Sequence, residues 1–294
     1  MIVDSIKFLS FDVGEAINDK FHYREIIVNF DSKAVRNFDF KLIPYGRFPD
    51  NDSMIYNIKA LMQSVDVNII ENIKENEGIE GFYAWDSIAI ISYLVKTALR
   101  GSELLINNLM DSGKTGALLC GEKALFTAHG IPKPAFQGYK MLNLMKGELI
   151  AFDDSFLISR SENDIGEKQF YLLFINCSTA IDCLCEKKYG MRKVQEEIEK
   201  FKDSLEIKVT IAGFPSGMYQ IIETAQLHKD SLFNFANTDN YIRKSMSDND
   251  ILTTIEISSP VSQGREEYIH GDLELTVNLK GLGYKFIRII QKQK

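Results

Sequence analysis

Strand-like and helix-like hydrophobic patterns alternate through the first half of the chain, to about residue 148. β-Branched and aromatic residues are concentrated at positions 3–11, as they are in strands. A short apolar run at 67–70 predicts a second, buried strand. Apolar residues at helical spacing predict one helix capped by Asp86 and another that begins at Pro134, a favoured first-turn residue. This alternation indicates parallel strands in an α/β layer or barrel.

The second half of the chain has a different pattern. Positions 170–175 form a continuous apolar run, which is typical of a strand covered on both faces. Apolar and polar residues alternate over 205–211 and again over 273–279, which indicates strands with one buried and one solvated face. A solvated helix is predicted at about 190–202, and a final strand at 284–290. Together these elements predict an antiparallel β-sandwich.

These two patterns predict two domains, an α/β domain at residues 1–148 followed by an all-β domain at residues 149–294. A complete (β/α)8 barrel takes about 250 residues. Since only about 148 residues precede the predicted sandwich, we expect a partial barrel with a C-terminal β-sandwich.

Composition narrows the range of partners. The chain has 294 residues and a formal net charge of −7. Without a cluster of Lys and Arg, nucleic acid is not an expected partner. We expect no membrane span, because no stretch of about 18 apolar residues occurs, and no signal peptide. The cysteines are expected to be free thiols, so the predicted location is the cytoplasm.

Motifs for nucleotide and metal chemistry are incomplete or missing. The segment at 111–116 has the Gly-Lys-Thr of a phosphate-binding loop, but Asn108 stands where that loop needs its first glycine. Three clustered cysteines lack the paired Cys/His spacing of a zinc site. No dinucleotide, zinc-protease or serine-hydrolase pattern is present. We therefore expect no cofactor and no metal.

A more specific motif lies at 126–143. There Gly130, Pro132 and Pro134 stop a strand and start a helix, within Gly-Ile-Pro-Lys-Pro-Ala-Phe followed by Leu-Asn. This string resembles the end of the catalytic barrel of glycoside hydrolase family 39, the β-xylosidase and α-iduronidase family. The resemblance extends to Asp86-Ser-Ile-Ala-Ile-Ile-Ser-Tyr-Leu-Val-Lys and to the later strands, and covers residues from about 60 to 294. It implies a barrel helix followed by a β-sandwich, as the patterns also predict.

The family resemblance also implies a chemistry. Its members are retaining enzymes with two glutamates, and two carboxyl groups about 5–5.5 Å apart suit that mechanism. Glu71, which ends the strand at 67–70, falls at the nucleophile position. Asn72 replaces the Trp of the family motif, and no Asn-Glu-Pro acid/base segment occurs in the chain. By the same resemblance Asp111 is a candidate substrate-pocket residue, and His129 is either a turn histidine or a sugar contact.

Three functions stay open at this point. The first is a glycosidase for β-xyloside-like substrates that is weak or inactive, because the acid/base segment is absent. The second is a sugar-sensing module, similar to the barrel-plus-sandwich regions of AraC-type transcriptional regulators. The third is a truncated, non-functional fragment. An incomplete barrel leaves strand edges open, so we expect carbohydrate as ligand and either a homo-oligomer or a complementing barrel half as partner.

Overall fold

A computed structural model describes residues 5–12, 20–39, 42–44, 81–101, 104–106, 108–113, 117–162, 168–238 and 246–292. Within these residues the strands are β1 (Ser5–Asp12), β2 (Lys20–Asn29), β3 (Arg36–Phe38), β4 (Leu42–Pro44), β5 (Leu104–Ile106), β6 (Asn108–Met110), β7 (Ala124–Phe126), β8 (Gly147–Phe152), β9 (Phe156–Glu162), β10 (Lys168–Asn176), β11 (Ser204–Leu227), β12 (Val261–Lys280) and β13 (Gly283–Gln291). The α-helices are α1 (Ala89–Leu99), α2 (Pro134–Leu144), α3 (Thr179–Asp182), α4 (Met191–Lys200), α5 (Leu232–Thr238) and α6 (Asp248–Ser258). The predicted strand at 67–70 and Glu71 lie outside the described residues.

Nine of the described strands form one mixed sheet. Its order is β1-β2-β11-β13-β10-β9-β8-β3, and β12 pairs with β11. Every neighbouring pair in this sheet is antiparallel except β2 and β11, which run parallel.

Both faces of β10 are buried, each in a different apolar cluster. This confirms the prediction, made from its continuous apolar run, of a strand covered on both faces. Phe170, Leu172 and Phe174 join an apolar cluster formed by the strands. Leu173 and Ile175, on the opposite face, join a second cluster that contains the helices. Since successive side chains of a strand point to opposite faces, the sheet separates the two clusters and is covered on both sides here.

The longest strand bends the sheet. The first part of β11, 204–212, pairs with β2, whereas 219–227 pairs with β13. Between these parts the register with β12 shifts twice, between Ile211 and Gly217. Bulges of this kind bend a strand and increase its twist. The sheet therefore curls around the strand cluster, and the segment 213–217, which contains two glycines and a proline, is a bend inside one long strand.

Three described strands from the start of the chain, β1, β2 and β3, belong to this curled sheet. β2 lies between β1 and β11, and β3 pairs with β8 at the far edge. Ile26 and Val28 of β2 are fully buried in the strand cluster. Residues placed by the sequence patterns in the α/β half thus hydrogen-bond to strands from the second half.

Two shorter parallel pairs lie apart from the large sheet. β4 pairs with β5, and β6 with β7. Helices α1 and α2 pack against each other beside them, with Leu94 of α1 close to Gly138 of α2. Parallel pairs accompanied by helices are the arrangement expected of a partial barrel. Among the helices of the described residues, none has both the length and the apolar character needed to cross a membrane.

Replacing Ile26 by alanine tests the position of β2. Ile26 is fully buried, whereas its neighbour Ile27 points to the other face and is partly exposed. We expect Ile26→Ala to lower the free energy of unfolding by about 2–5 kcal/mol, because it removes a core side chain and leaves a cavity. Ile27→Ala is the matched control and should cost less than half as much in urea denaturation. Equal effects would contradict the observed facing of β2.

Candidate functional site

The carboxyl ends of β6 and β7 carry two of the residues predicted for the site. Asp111 directly follows β6, and its backbone N–H donates to the carbonyl of Phe126 at the end of β7, at 2.9 Å. His129 lies in the turn after β7. A Cβ atom placed on Gly113 would be 3.1 Å from the Cβ of Ala128, so the two connections touch. In barrels, this edge of the parallel strands is where substrate binds.

The turn that holds His129 is fixed by its own hydrogen bonds. The Thr127 hydroxyl accepts from the backbone N–H groups of His129 and Ile131, at 3.3 and 3.2 Å. Gly130 has φ +76°, a conformation that glycine adopts without strain. The imidazole is partly exposed, and burial lowers the pKa of His129. The imidazole is therefore mainly neutral at pH 7, with one nitrogen that can donate a hydrogen bond and one that can accept one.

Beneath this edge lies a fully buried lysine. The Lys133 ammonium forms ion pairs with Asp86 and Asp111, the second at 2.8 Å, and donates to the carbonyl of Glu122 at 2.9 Å. The side chains of Lys133, Asp86 and Asp111 are 0% exposed. A lysine is almost never buried completely unless it is paired, and here three oxygen atoms lie against its ammonium group.

Further hydrogen bonds tie the neighbouring loop to this lysine. Asp86 ends a 3₁₀ turn at Tyr83–Asp86 and accepts from the Gly121 N–H at 2.9 Å. The Glu122 carboxylate accepts from the backbone N–H of Ser112 at 2.8 Å and from its hydroxyl. We call Asp86, Asp111, Glu122 and Lys133 the buried cluster. It links the turn before α1, both ends of the β6–β7 connection and the start of α2.

Burial and proximity shift the pKa values within the buried cluster. Burial raises the pKa of Asp111 to about 7; Lys133 opposes this rise and Asp86 adds to it. Burial also raises the pKa of Asp86, against the attraction of Lys133. Burial lowers the pKa of Lys133, but Asp111 and Asp86 outweigh it and the net shift is upward. Burial thus favours the protonated form of both buried acids, Asp86 and Asp111.

The residues predicted for the site thus have different surroundings. Asp111 is in the buried cluster, His129 is in the adjacent surface turn, and Glu71 lies outside the described residues. Sequence reasoning missed the other members of the buried cluster. Asp86 was expected to cap α1, but the N-cap is Ile88 and no side chain caps that helix. The available signal was Lys133 itself, a charged residue inside an otherwise apolar motif.

The buried cluster can position the strand edge, but its members are poorly placed to act on a substrate. A group that transfers a proton must come within about 2.6–3.2 Å of the reacting atom. Asp86 and Lys133 have no exposed surface, and Asp111 is 5% exposed as a residue. The cluster therefore shapes this edge from beneath, with residues 112–113 and 128–130 exposed or partly exposed above it.

Solved structures with the same fold are known. A GH39 enzyme from Xanthomonas axonopodis pv. citri matches 86% of this chain with a TM-score of 0.55 at 14% identity. A monomeric β-xylosidase from Caulobacter crescentus CB15 matches 92% with a TM-score of 0.57 at 13% identity. The chain has the fold of part of a family 39 glycoside hydrolase. It spans about half the length of these two enzymes, 55% and 56%.

The GH39 fold confirms the predicted resemblance at the level of architecture. The shared part is a mixed, half-barrel arrangement of curled sheet and helices. The domain boundary at 148 and the roles of Glu71, Asp111 and His129 stay predictions. No protein-family model matches the sequence, and no curated protein matches it either.

Replacing Lys133 by methionine tests the buried cluster. Removing one partner of a buried ion pair leaves the other charge without compensation, so we expect unfolding free energy to fall by about 3–5 kcal/mol. Lys140→Met, on the same helix but only partly buried, is the control and should change stability by less than about 1 kcal/mol. Chemical denaturation of both variants measures the difference. Equal stabilities would show that the cluster does not hold this edge together.

The pKa of Asp111 predicts a pH dependence. A carboxyl whose folded-state pKa lies above its ordinary 3.8 contributes stability that is fully present below pH 3.8 and is lost as the pH rises through about 7. Asparagine imitates the protonated form at every pH. We therefore expect Asp111→Asn to become more stable relative to the unmodified chain as the pH rises from 5 to 8. A stability difference that is constant over this range, in thermal or urea unfolding, would disprove the assignment.

Proposed function

We propose that this chain recognises a β-xyloside-like carbohydrate and hydrolyses it weakly or not at all. The observation that carries the proposal is the GH39 fold, which extends over 86–92% of the chain. One of the two solved structures is described as a β-xylosidase, and the Gly-Ile-Pro-Lys-Pro-Ala motif supports the same class. Carbohydrate would rest at the carboxyl edge of the parallel strands, where barrel proteins place their ligands.

The state of the carboxylates argues for binding rather than efficient catalysis. Retaining hydrolysis needs two carboxyl groups about 5–5.5 Å apart, one of them free to give and take a proton. At the edge of β6 and β7, Asp111 is paired with Lys133 and Glu122 accepts hydrogen bonds from Ser112. Glu71 is then the proposed nucleophile, without an Asn-Glu-Pro acid/base residue in the same chain. Loss of general acid catalysis alone costs about 10²–10⁴-fold.

The curled sheet would serve as the accessory part of the molecule. We propose that it corresponds to the β-sandwich predicted for residues 149–294, completed by β1, β2 and β3 from the start of the chain. The parallel pairs β4–β5 and β6–β7, with α1 and α2, would then form the partial barrel. The strand cluster, which both parts of β11 line, supports this division because none of its members in the described part of the chain lies in a helix.

A second candidate is a glycosidase that is active only with a complementing chain. The chain spans about half the length of the two enzymes that share its fold, so a partner would have to supply the remaining barrel strands and the acid/base residue. Partner-dependent turnover would be its signature, whereas a stand-alone sensor binds sugar and never turns it over.

Binding and hydrolysis measured on the same preparation test the proposal. We expect calorimetry to detect saturable binding of xylose or xylobiose. We expect hydrolysis of an aryl β-xyloside to be absent or at least about 10²-fold below that of an intact retaining enzyme. Any residual turnover should disappear in Glu71→Gln and persist in Glu274→Gln, a control at an exposed position on β12.

Two outcomes would contradict these assignments. If none of the sugars binds and no xyloside is cleaved, the proposed recognition is wrong. If turnover is unchanged in Glu71→Gln, Glu71 is not the nucleophile.

A further inference from the structure

A cavity of about 480 Å³ opens beside α4, away from the strand edge described above. It is enclosed by the end of α4, the last residues of β11, the start of α5 and the turn between β12 and β13. None of its lining residues belongs to the buried cluster or to the turn that holds His129. Small-molecule sites in proteins have volumes of about 300–1,000 Å³, so the cavity is large enough for a ligand of monosaccharide size.

Three exposed lysines from separate parts of the chain line this cavity. Lys202 follows α4, Lys229 lies in the 3₁₀ turn after β11, and Lys280 ends β12. None of the three forms an ion pair with a residue that the structure describes, whereas Lys96, Lys168 and many other lysines do. Three unpaired cations on one cavity are notable in a chain of net charge −7.

One acidic residue lines the cavity, and its carboxylate already has a partner. Glu199 accepts a hydrogen bond from the Gln195 amide at 2.7 Å. The same amide nitrogen lies 3.3 Å from the Asn234 carbonyl oxygen, and the Gln195 oxygen lies 3.1 Å from Nε2 of His228. These bonds hold the polar wall in one arrangement, with Gln195 5% and His228 8% exposed. The cavity thus combines three positive charges with one negative charge on a fixed wall.

The wall of the cavity also contains apolar side chains. Part of it is formed by two residues at the end of α4 and by two leucines from β11 and the β12–β13 turn, namely Ile198, Phe201, Leu227 and Leu282. An apolar wall with a few convergent polar groups is the usual composition of a small-molecule site. Lysine ammonium groups bind carboxylate and phosphate as point charges. The wall would contact the carbon skeleton of a ligand whose anionic group meets the lysines.

We propose that this cavity binds a small organic oxyanion, a sugar acid or a sugar phosphate, through Lys202, Lys229 and Lys280. The anionic group lies among the three ammonium groups, and the sugar body rests against the apolar wall and the polar side chains of α4 and α5. The pKa of the adjacent His228 is lowered, mainly by burial; Glu199 opposes this shift, and Lys202 adds a smaller contribution to it. This site is separate from the strand edge and does not depend on the function proposed for it.

Calorimetric titration of the full chain tests the site with four probes. They are glucuronate, glucose 6-phosphate, inorganic phosphate and neutral xylose. We expect saturable binding of at least one of the two sugar anions, weaker binding of inorganic phosphate, and an affinity that falls as salt is raised, because exposed charges are screened. A preference for glucuronate or for glucose 6-phosphate distinguishes the sugar acid from the sugar phosphate.

Matched lysine variants locate the binding. An exposed ion pair contributes about 0.2–1 kcal/mol, so each single Lys→Gln change at 202, 229 or 280 should weaken binding by about 2- to 5-fold. The triple variant should weaken it by roughly 10- to 100-fold. The control triple changes Lys33, Lys140 and Lys187 to glutamine, which alters net charge equally away from the cavity. It should retain the affinity of the unmodified chain within about 2-fold.

Two results would overturn the proposal. One is equal loss of affinity in the cavity triple and the control triple, which would indicate a non-specific effect of net charge. The other is the absence of saturable binding by both sugar anions, whether or not inorganic phosphate binds. Circular dichroism of each variant confirms that it is folded. Because xylose binding at the strand edge should be the same in both triples, failure here is distinguishable from failure of the function proposed above.

Discussion

The complete burial of Lys133 constrains the part of the molecule around the strand edge. An ammonium group without water must be surrounded by oxygen acceptors, and Asp86, Asp111 and the carbonyl of Glu122 provide them. Each acceptor comes from a different segment. The turn before α1, the end of β6 and the loop before β7 must therefore lie where the first residues of α2 put the lysine. The need to place these acceptors around Lys133 therefore fixes the position of the backbone at the strand edge.

The curled sheet allows one set of strands to bury two apolar clusters. β10 contributes alternate side chains to the strand cluster and to the helix cluster. The bend in β11 brings its two parts around the strand cluster, so that β2 and β13 can pair with different parts of the same strand. The helices of the described residues pack on the outer face. One face of the sheet therefore packs against the helices, and the other face encloses the strand cluster.

Sequence patterns predicted a helix or strand correctly where residues adjacent in the chain determine it. The apolar run at 170–175 and the start of α2 at Pro134 depend on residues that are adjacent in the chain, and both are confirmed. The parallel pairing of β2 with β11 was not predicted, because alternation shows which face of a strand is buried but not its neighbour. Asp86 was misassigned for the same reason: its hydrogen-bond partner Gly121 is 35 residues away. Distant partners decided both cases.

Recognition and catalysis make different demands on a fold of this kind. Recognition of a sugar needs a surface with fixed backbone and a few hydrogen-bonding groups, which the strand edge over the buried cluster offers. Catalysis also needs two free carboxyl groups at a set separation, and a carboxyl that is paired with a buried lysine loses its freedom to exchange protons with a substrate. Asp111 illustrates the conflict, since the contacts that stabilise the edge also withdraw it from chemistry. The commitment of these nearby carboxyls to structure is the reason why we propose that the chain holds a carbohydrate rather than cleaves it.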